Sequence, residues 1–320
     1  MTKRMTMGIT IFRHPLTRIA ITLALLGGLW AVIDTGHLGR LMADIRWPWV
    51  LAGLGLVQCQ IVASALRWQF TAACLGERFS RSHAVREYYL ASLLNQILPG
   101  GVAGDIIRAG RGVAARGSTA WQTGVAAIVL ERLAGQIMLF VIAFMGLGVS
   151  FLLGQPIVPA AWASWAAVAL VFVAGFGLVA VLMRVPAGAA RLHRAGQAMQ
   201  KAWFTRRVAV VQLAYSGVIV AAYLAAFALA SQAIGAPLSG LAIVTLIPIT
   251  LLTMLLPVSI AGWGLREAAA AALWPLAGAS AADGVAASLV YGLISLVGAA
   301  PGALVWWLRP RTPHGASRRA

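Results

Sequence analysis

Arg108 and Arg266 each close a stretch in which proline, glycine and a cation interrupt apolar sequence. The first reads LPGGVAGDIIR, Leu98 to Arg108, and the second LPVSIAGWGLR, Leu256 to Arg266. Aligned without gaps, they share Leu, Pro, Ala, Gly and Arg at an offset of 158 residues, and match Val102 with Ile260 and Ile107 with Leu265. A planar guanidinium forms a fork suited to phosphate, and an ionisable side chain within membrane sequence points to function because it is costly there. Plainer uses stand beside this one. Arg108, with further arginines close behind, equally fits a cytoplasmic anchor, whereas Arg266 has few basic neighbours.

The residues around these arginines specify how they would be positioned. Pro99 and Pro257 are expected to end incoming half-helices, because the residue before a proline avoids helical geometry. Gly100, Gly101 and Gly104, then Gly262 and Gly264, permit a tight reversal. Returning half-helices would start near Asp105 and Leu265, with free N–H groups and the positive end of the helix dipole favouring an anion. Asp105 fits an N-cap acceptor better than a ligand contact. Asn95 and Gln96 would hydrogen-bond either a headgroup or the broken backbone. In VLERLAGQ, Glu131 and Arg132 fall inside an apolar span, followed by Gly135 and Gln136; Glu131 either faces a wet cavity or neutralises a nearby arginine. Glu267 is expected to pair away from Arg266, since adjacent helical side chains diverge. Gln58, Gln60, Ser64 and Arg67 read as helix–helix contacts.

Of the 320 residues, 61% are hydrophobic and 10% charged, against roughly 25% charged in a soluble domain. The fold class is therefore an all-α polytopic membrane protein, a single membrane domain over 1–320. Candidate full spans are 17–34, 47–71, 119–150, 159–183, 208–232 and 284–308, each long enough for a hydrocarbon core of about 30 Å. Shorter apolar pieces near 240–256 and 265–278 flank the second motif. Arg40 and Arg46 fall in the loop after the first span. The net charge of +17 is mostly a topology signal, because 20 of the 25 Lys and Arg lie in four clusters. These are Lys3 to Arg18, Arg78 to Arg116, Arg184 to Arg207, and Arg309 to Arg319. Loops near 150–158 and 231–240 have none. The alternation places both termini and the clusters in the cytoplasm and argues against nucleic acid as a partner. Residues 309–320 form a basic cytoplasmic tail.

The motif offset also selects a topology. Matching 208–232 with 47–71, and 284–308 with 119–150, comes close to it, and 159–183 with 17–34 less so; matching 208–232 with the first span is much further off. Each half, about 17–150 and about 159–308, then holds three full spans and one re-entrant helical hairpin, about 82–112 and about 240–278. An odd number of crossings inverts the second half relative to the first. Broken helices at corresponding positions of inverted halves point to a midplane binding site. Eight full helices are the rival architecture.

The five histidines lack HxxxH or HExxH spacing, and no metal site or cofactor is expected. No Walker-type loop or nucleophile elbow is present. Cys59 and Cys74 have no redox or metal spacing. NQILPGGVAGDIIR, ERLAGQ and LLPVSIAGWGLREAA together resemble the lysylphosphatidylglycerol synthase transmembrane family of bacterial and archaeal membrane proteins, over roughly 17–308. In bifunctional members the membrane half moves aminoacylated phosphatidylglycerol to the outer leaflet while a soluble domain performs the aminoacyl transfer; no such domain is evident here.

The resemblance carries over Asn95, Pro99, Gly100, Gly101, Gly104, Asp105 and Arg108, then Glu131 and Arg132, then Pro257, Gly262, Gly264, Arg266 and Glu267. Ala103 and Ala261 depart from glycine-richer versions. The implied function is lipid translocation in the bacterial inner membrane, of flippase or scramblase kind. Arg108 and Arg266 would hold an anionic headgroup, and a separately encoded lipid-modifying enzyme would be the partner. The alternatives are an integral-membrane lipid transferase and a non-catalytic scaffold subunit.

Overall fold

Capping residues set where most helices of this chain begin. The computed structural model describes residues 15–98, 103–116, 118–154, 157, 203, 205–256 and 259–307, and among these the chain is helical without a strand. Helix α1 (Pro15–Val32) breaks at Asp34, and α2 (Thr35–Ala43) leaves it at 99°. The Asp34 carboxylate accepts the His37 N–H at 2.9 Å, and this bond holds its carboxyl below the usual carboxylate range. Residues 35–43 were expected in a loop. They are helical because Asp34 caps them and Leu38 buries itself in the core. Helix α3 (Trp47–Cys74) carries Pro48 in its first turn, where no intrahelical N–H bond is lost. Ser80 caps α4 (Arg81–Ile97) by accepting from His83 N–H. Then come α5 (Ala103–Arg116), α6 (Ser118–Leu152) and α7 (Arg206–Ala233).

Ser239 caps α8 (Gly240–Leu252), which runs into a 3-10 turn at Thr253–Leu255. Next is α9 (Leu265–Leu273), followed by a 3-10 turn at Trp274–Ala277. Ser280 and Asp283 cap α10 (Ala281–Ala299) reciprocally, and α11 (Pro301–Trp307) continues from it.

Among the described residues, four stretches are long and apolar enough to cross a membrane: Trp47–Cys74, Gly124–Leu152, Arg206–Ala233 and Ala281–Trp307. They coincide with four of the expected spans, and α1 coincides with a fifth. The expected span 159–183 and the tail 309–320 lie outside the described residues. At about 1.5 Å per residue, α8 is about 20 Å long and α9 about 14 Å, short of the roughly 30 Å of a hydrocarbon core. The chain is thus a polytopic helical membrane protein in which helix–turn–helix hairpins, α4–α5 and α8–α9, sit at the expected places. Leu98 (φ −91°, ψ 145°) and Leu256 (φ −73°, ψ 115°) are extended, as residues before proline are. Pro99, Gly100, Gly101 and Pro257 themselves lie outside the described residues. Helix α8 gives way to its 3-10 turn already at Leu252, ahead of Pro257.

Helices α3 and α7 pack side by side, with α10 against both. Val57 and Ile61, Val220, Leu224 and Phe227, and Val290, Tyr291 and Ile294 form the buried core between them. Phe227 stacks on Tyr291 at 4.6 Å between ring centres. Lipid tails are as apolar as leucine, so close backbone approach holds such helices together. Gly104 lets α5 lie directly on the backbone of α4, since a β-carbon there would overlap the Ala91 carbonyl. Gly284 does the same for α10 against Ala270 of α9.

Replacing Gly104 by alanine forces the two arms of the first hairpin apart. The variant should lose about 1–3 kcal/mol of stability, seen as a lower melting temperature in detergent. An unchanged melting curve would contradict this packing.

Candidate functional site

The first hairpin carries a buried ion network. Asp105 and Arg108 are three residues apart on α5 and so share a face, which packs against α4 and α6. Arg108 Nη2 donates to Asp105 Oδ1 at 2.9 Å and to Glu131 Oε2 of α6 at 3.3 Å. The other Glu131 oxygen accepts from Arg67 Nη2 of α3 at 3.1 Å and from the Tyr88 hydroxyl of α4 at 2.9 Å. Arg67 Nη1 reaches Ser216 Oγ of α7 at 3.0 Å, and Gly135 leaves room for its guanidinium on α6. Nearer the hairpin tip, Asp105 Oδ2 accepts from Asn95 Nδ2 and from Nε and Nη2 of Arg132.

Asn95 supplies the cap expected of Asp105. Its Oδ1 accepts the Gly104 N–H at 2.8 Å, while Asp105 sits inside the first turn and serves cations. Gln96, the next residue, is half-buried and has no bond to the network among the described residues.

Glu131, Arg67 and Arg108 are all but inaccessible, at 1%, 3% and 4% exposure. Three guanidinia face two carboxylates, so the cluster keeps one positive charge in excess. The Arg108 guanidinium lies 4.3 Å from the ring centre of Trp68 and 4.6 Å from that of Tyr88, which partly compensates its desolvation. Among the described residues its Nε and Nη1 are buried without a hydrogen-bond partner, as are Arg67 Nε and Trp68 Nε1. Buried donors left unpaired are expensive and rare, and each calls for an explanation.

The second hairpin is closed by comparison. Arg266 donates through Nη2 (2.7 Å) and Nε (3.1 Å) to Glu267 Oε1, and through Nε to Ser288 Oγ of α10 at 2.8 Å. Ser288 donates to the same carboxylate oxygen, whose partner oxygen accepts the Gly264 N–H at 2.6 Å. The expectation that Glu267 pairs away from Arg266 is therefore corrected. Both residues stand in the first turn of α9; Glu267 folds back to cap it and Arg266 follows. Trp263 and Tyr291 flank the guanidinium at 5.0 and 5.2 Å, and Gly292 makes the room it occupies. Ala261 (φ 49°), Gly262 (φ 80°) and Gly264 (φ 86°) make the left-handed turns of the tip. Thr22 of α1 stabilises that tip by accepting the Ile260 N–H.

Arg108 and Arg266 are thus held in separate networks and share no partner among the described residues. Sequence reasoning left Arg67 to helix packing and did not single out Trp68, Tyr88, Ser216, Ser288 or Tyr291. An arginine within an apolar span was the signal available for Arg67. A tyrosine or serine within a helix carries no such signal.

An all-helical, multi-pass membrane bundle with broken hairpins and buried arginine–carboxylate networks defines the class of this protein. Residues 16–302 match the family described as the lysylphosphatidylglycerol synthase TM region, and the chain belongs to that family. No curated protein and no solved structure matches the chain. Membership ties the chain to membrane lipids.

Arg266 is the cation bonded to the fully buried Glu267 carboxylate, so Arg266→Ala should cost about 3–5 kcal/mol by stranding that charge. Adding Glu267→Gln should recover much of the loss in a melting experiment, and no recovery would show that charge burial is not the cause. Ala261→Gly should stabilise by about 1–2 kcal/mol, because only glycine adopts the left-handed region freely. A lowered melting temperature would contradict the strained turn.

Proposed function

We propose that this protein translocates a lipid bearing a phosphate headgroup across the bacterial inner membrane, with both termini cytoplasmic, and returns it chemically unchanged. The carrying observation is Arg108, a buried guanidinium in a cluster with one surplus positive charge, with two N–H donors unpartnered. An anion is the acceptor such donors lack, and family membership makes a lipid headgroup its natural source. The aromatic faces of Trp68 and Tyr88 hold the guanidinium in place when the headgroup leaves. In this reading Asn95, Asp105, Glu131 and Arg132 set the geometry and charge around Arg108, while Arg266 and Glu267 brace the second hairpin. The inverted relation of the halves, about 17–150 and about 159–308, belongs to the same proposal, as does a separately encoded enzyme that modifies the lipid.

Arg108→Gln tests this with little risk to the fold. Glu131 keeps Arg67 and Tyr88, and Asp105 keeps Asn95 and Arg132. Purified protein in vesicles containing fluorescent phosphatidylglycerol, with dithionite added to bleach the outer leaflet, reads translocation directly. Loss of a charged hydrogen bond should slow the variant at least about tenfold, and lipid extracted afterwards should be unaltered. Wild-type rates in the variant would sink the role of Arg108, and a chemically altered lipid would favour a transferase.

A further inference from the structure

Helix α5 presents a third charged residue on the face that carries Asp105 and Arg108. Arg111 follows Arg108 by three residues, a rise of about 4.5 Å along the helix, and its Nη2 lies 3.3 Å from Glu87 Oε1 of α4. Three levels therefore succeed one another from the hairpin tip outward: Arg132 with Asp105, Arg108 with Glu131, and Arg111 with Glu87. Their exposure follows a pattern. The side chains of Arg132 and Arg111 are 38% and 29% accessible, whereas that of Arg108 is 1% accessible. The row is open at both ends and sealed in the middle. Like Arg108, Arg111 has a buried nitrogen, Nη1, without a hydrogen-bond partner among the described residues.

We infer that Arg111 is a second phosphate station, the outer rung of a guanidinium ladder that passes a headgroup to Arg108 and on to Arg132. The inference rests on the proposed function and adds a residue and a route to it. Each rung offers a guanidinium already engaged by a carboxylate, so the phosphate exchanges one ionic partner for another at each step. No rung requires a bare charge in apolar surroundings, which is the costly condition for movement through a membrane. Along α5 the step from Arg111 to Arg108 is a little under one helical turn, and Asp105, one further step along, engages Arg132.

The test uses the full chain in vesicles with fluorescent phosphatidylglycerol, and Arg111→Gln, Arg111→Lys and Glu87→Gln variants. Arg111→Gln should translocate about tenfold more slowly. It should retain the labelled lipid at equilibrium in native mass spectrometry, because Arg108 is intact. Arg111→Lys should restore most of the rate. Glu87→Gln, which frees the Arg111 guanidinium, should raise retention of the lipid while altering the rate. Wild-type rates in both Arg111→Gln and Glu87→Gln would overturn the ladder yet leave the Arg108 reading standing. Misfolding of both variants would make the pair a structural brace and overturn the ladder equally. Absence of translocation by the wild type, in contrast, would defeat the proposed function itself. Radiolabelled inorganic phosphate in a parallel arm separates free phosphate from a headgroup. No uptake is expected, and Arg111-dependent uptake without lipid movement would overturn the lipid route.

Discussion

A helix that starts buried in protein has N–H groups that need a protein acceptor, and α5 and α9 both start in this way. Each finds a side-chain acceptor, but the two acceptors differ in charge. Gly104 N–H is met by the neutral amide of Asn95, and Gly264 N–H by the carboxylate of Glu267. That difference propagates. A neutral cap needs no counter-ion, so the arginine of the first hairpin is left to interact elsewhere. A buried carboxylate must be neutralised, and Arg266 does so with three hydrogen bonds shared between Glu267 and Ser288. One matched arginine becomes a brace while the other stays incompletely satisfied.

The network around Arg108 then follows from burial. Glu131, at 1% exposure, would be prohibitive as an isolated charge, and both its oxygens are engaged by arginines from different helices. Arg67 also bonds Ser216, so α3, α5, α6 and α7 converge on one carboxylate. Carboxylates so held fix the guanidinia in position without neutralising all of them. A fully matched set of charges would leave no such surplus.

Much of the architecture was legible in the sequence, because hydropathy and length alone specify a span. The two hairpins were legible from Pro-Gly chemistry and from the repeat at an offset of 158 residues. Helix α2 was not, because Gly36 and Gly39 argue against helix while the single cap of Asp34 and the burial of Leu38 decide for it. Arg67 was visible as an intramembrane charge, but its destination lies 64 residues away at Glu131. The Arg266–Glu267 pair ran against a rule for helix interiors, and that rule lapses in a first turn where a side chain folds back to cap. Asn95 bonds the broken backbone, one of its two expected uses, and so takes the cap expected of Asp105. Both types can cap, and only the return path of the chain decides which oxygen arrives at Gly104.

Sequence symmetry and structural symmetry consequently part company. The repeat places an arginine at the same point of each hairpin, and a pocket built equally from both would be the simplest inference from the alignment. The structure assigns the two residues different surroundings. Around Arg266 the charges cancel locally, and the guanidinium is flanked by Trp263 and Tyr291. Around Arg108 they do not cancel, and Asp105 and Arg132 carry the network toward a more exposed position. One hairpin thus holds a locally balanced pair, and the other shares its charges among four helices. The caps differ in origin as well as charge: Asn95 reaches Gly104 from the incoming helix, whereas Glu267 reaches Gly264 from the helix that it caps.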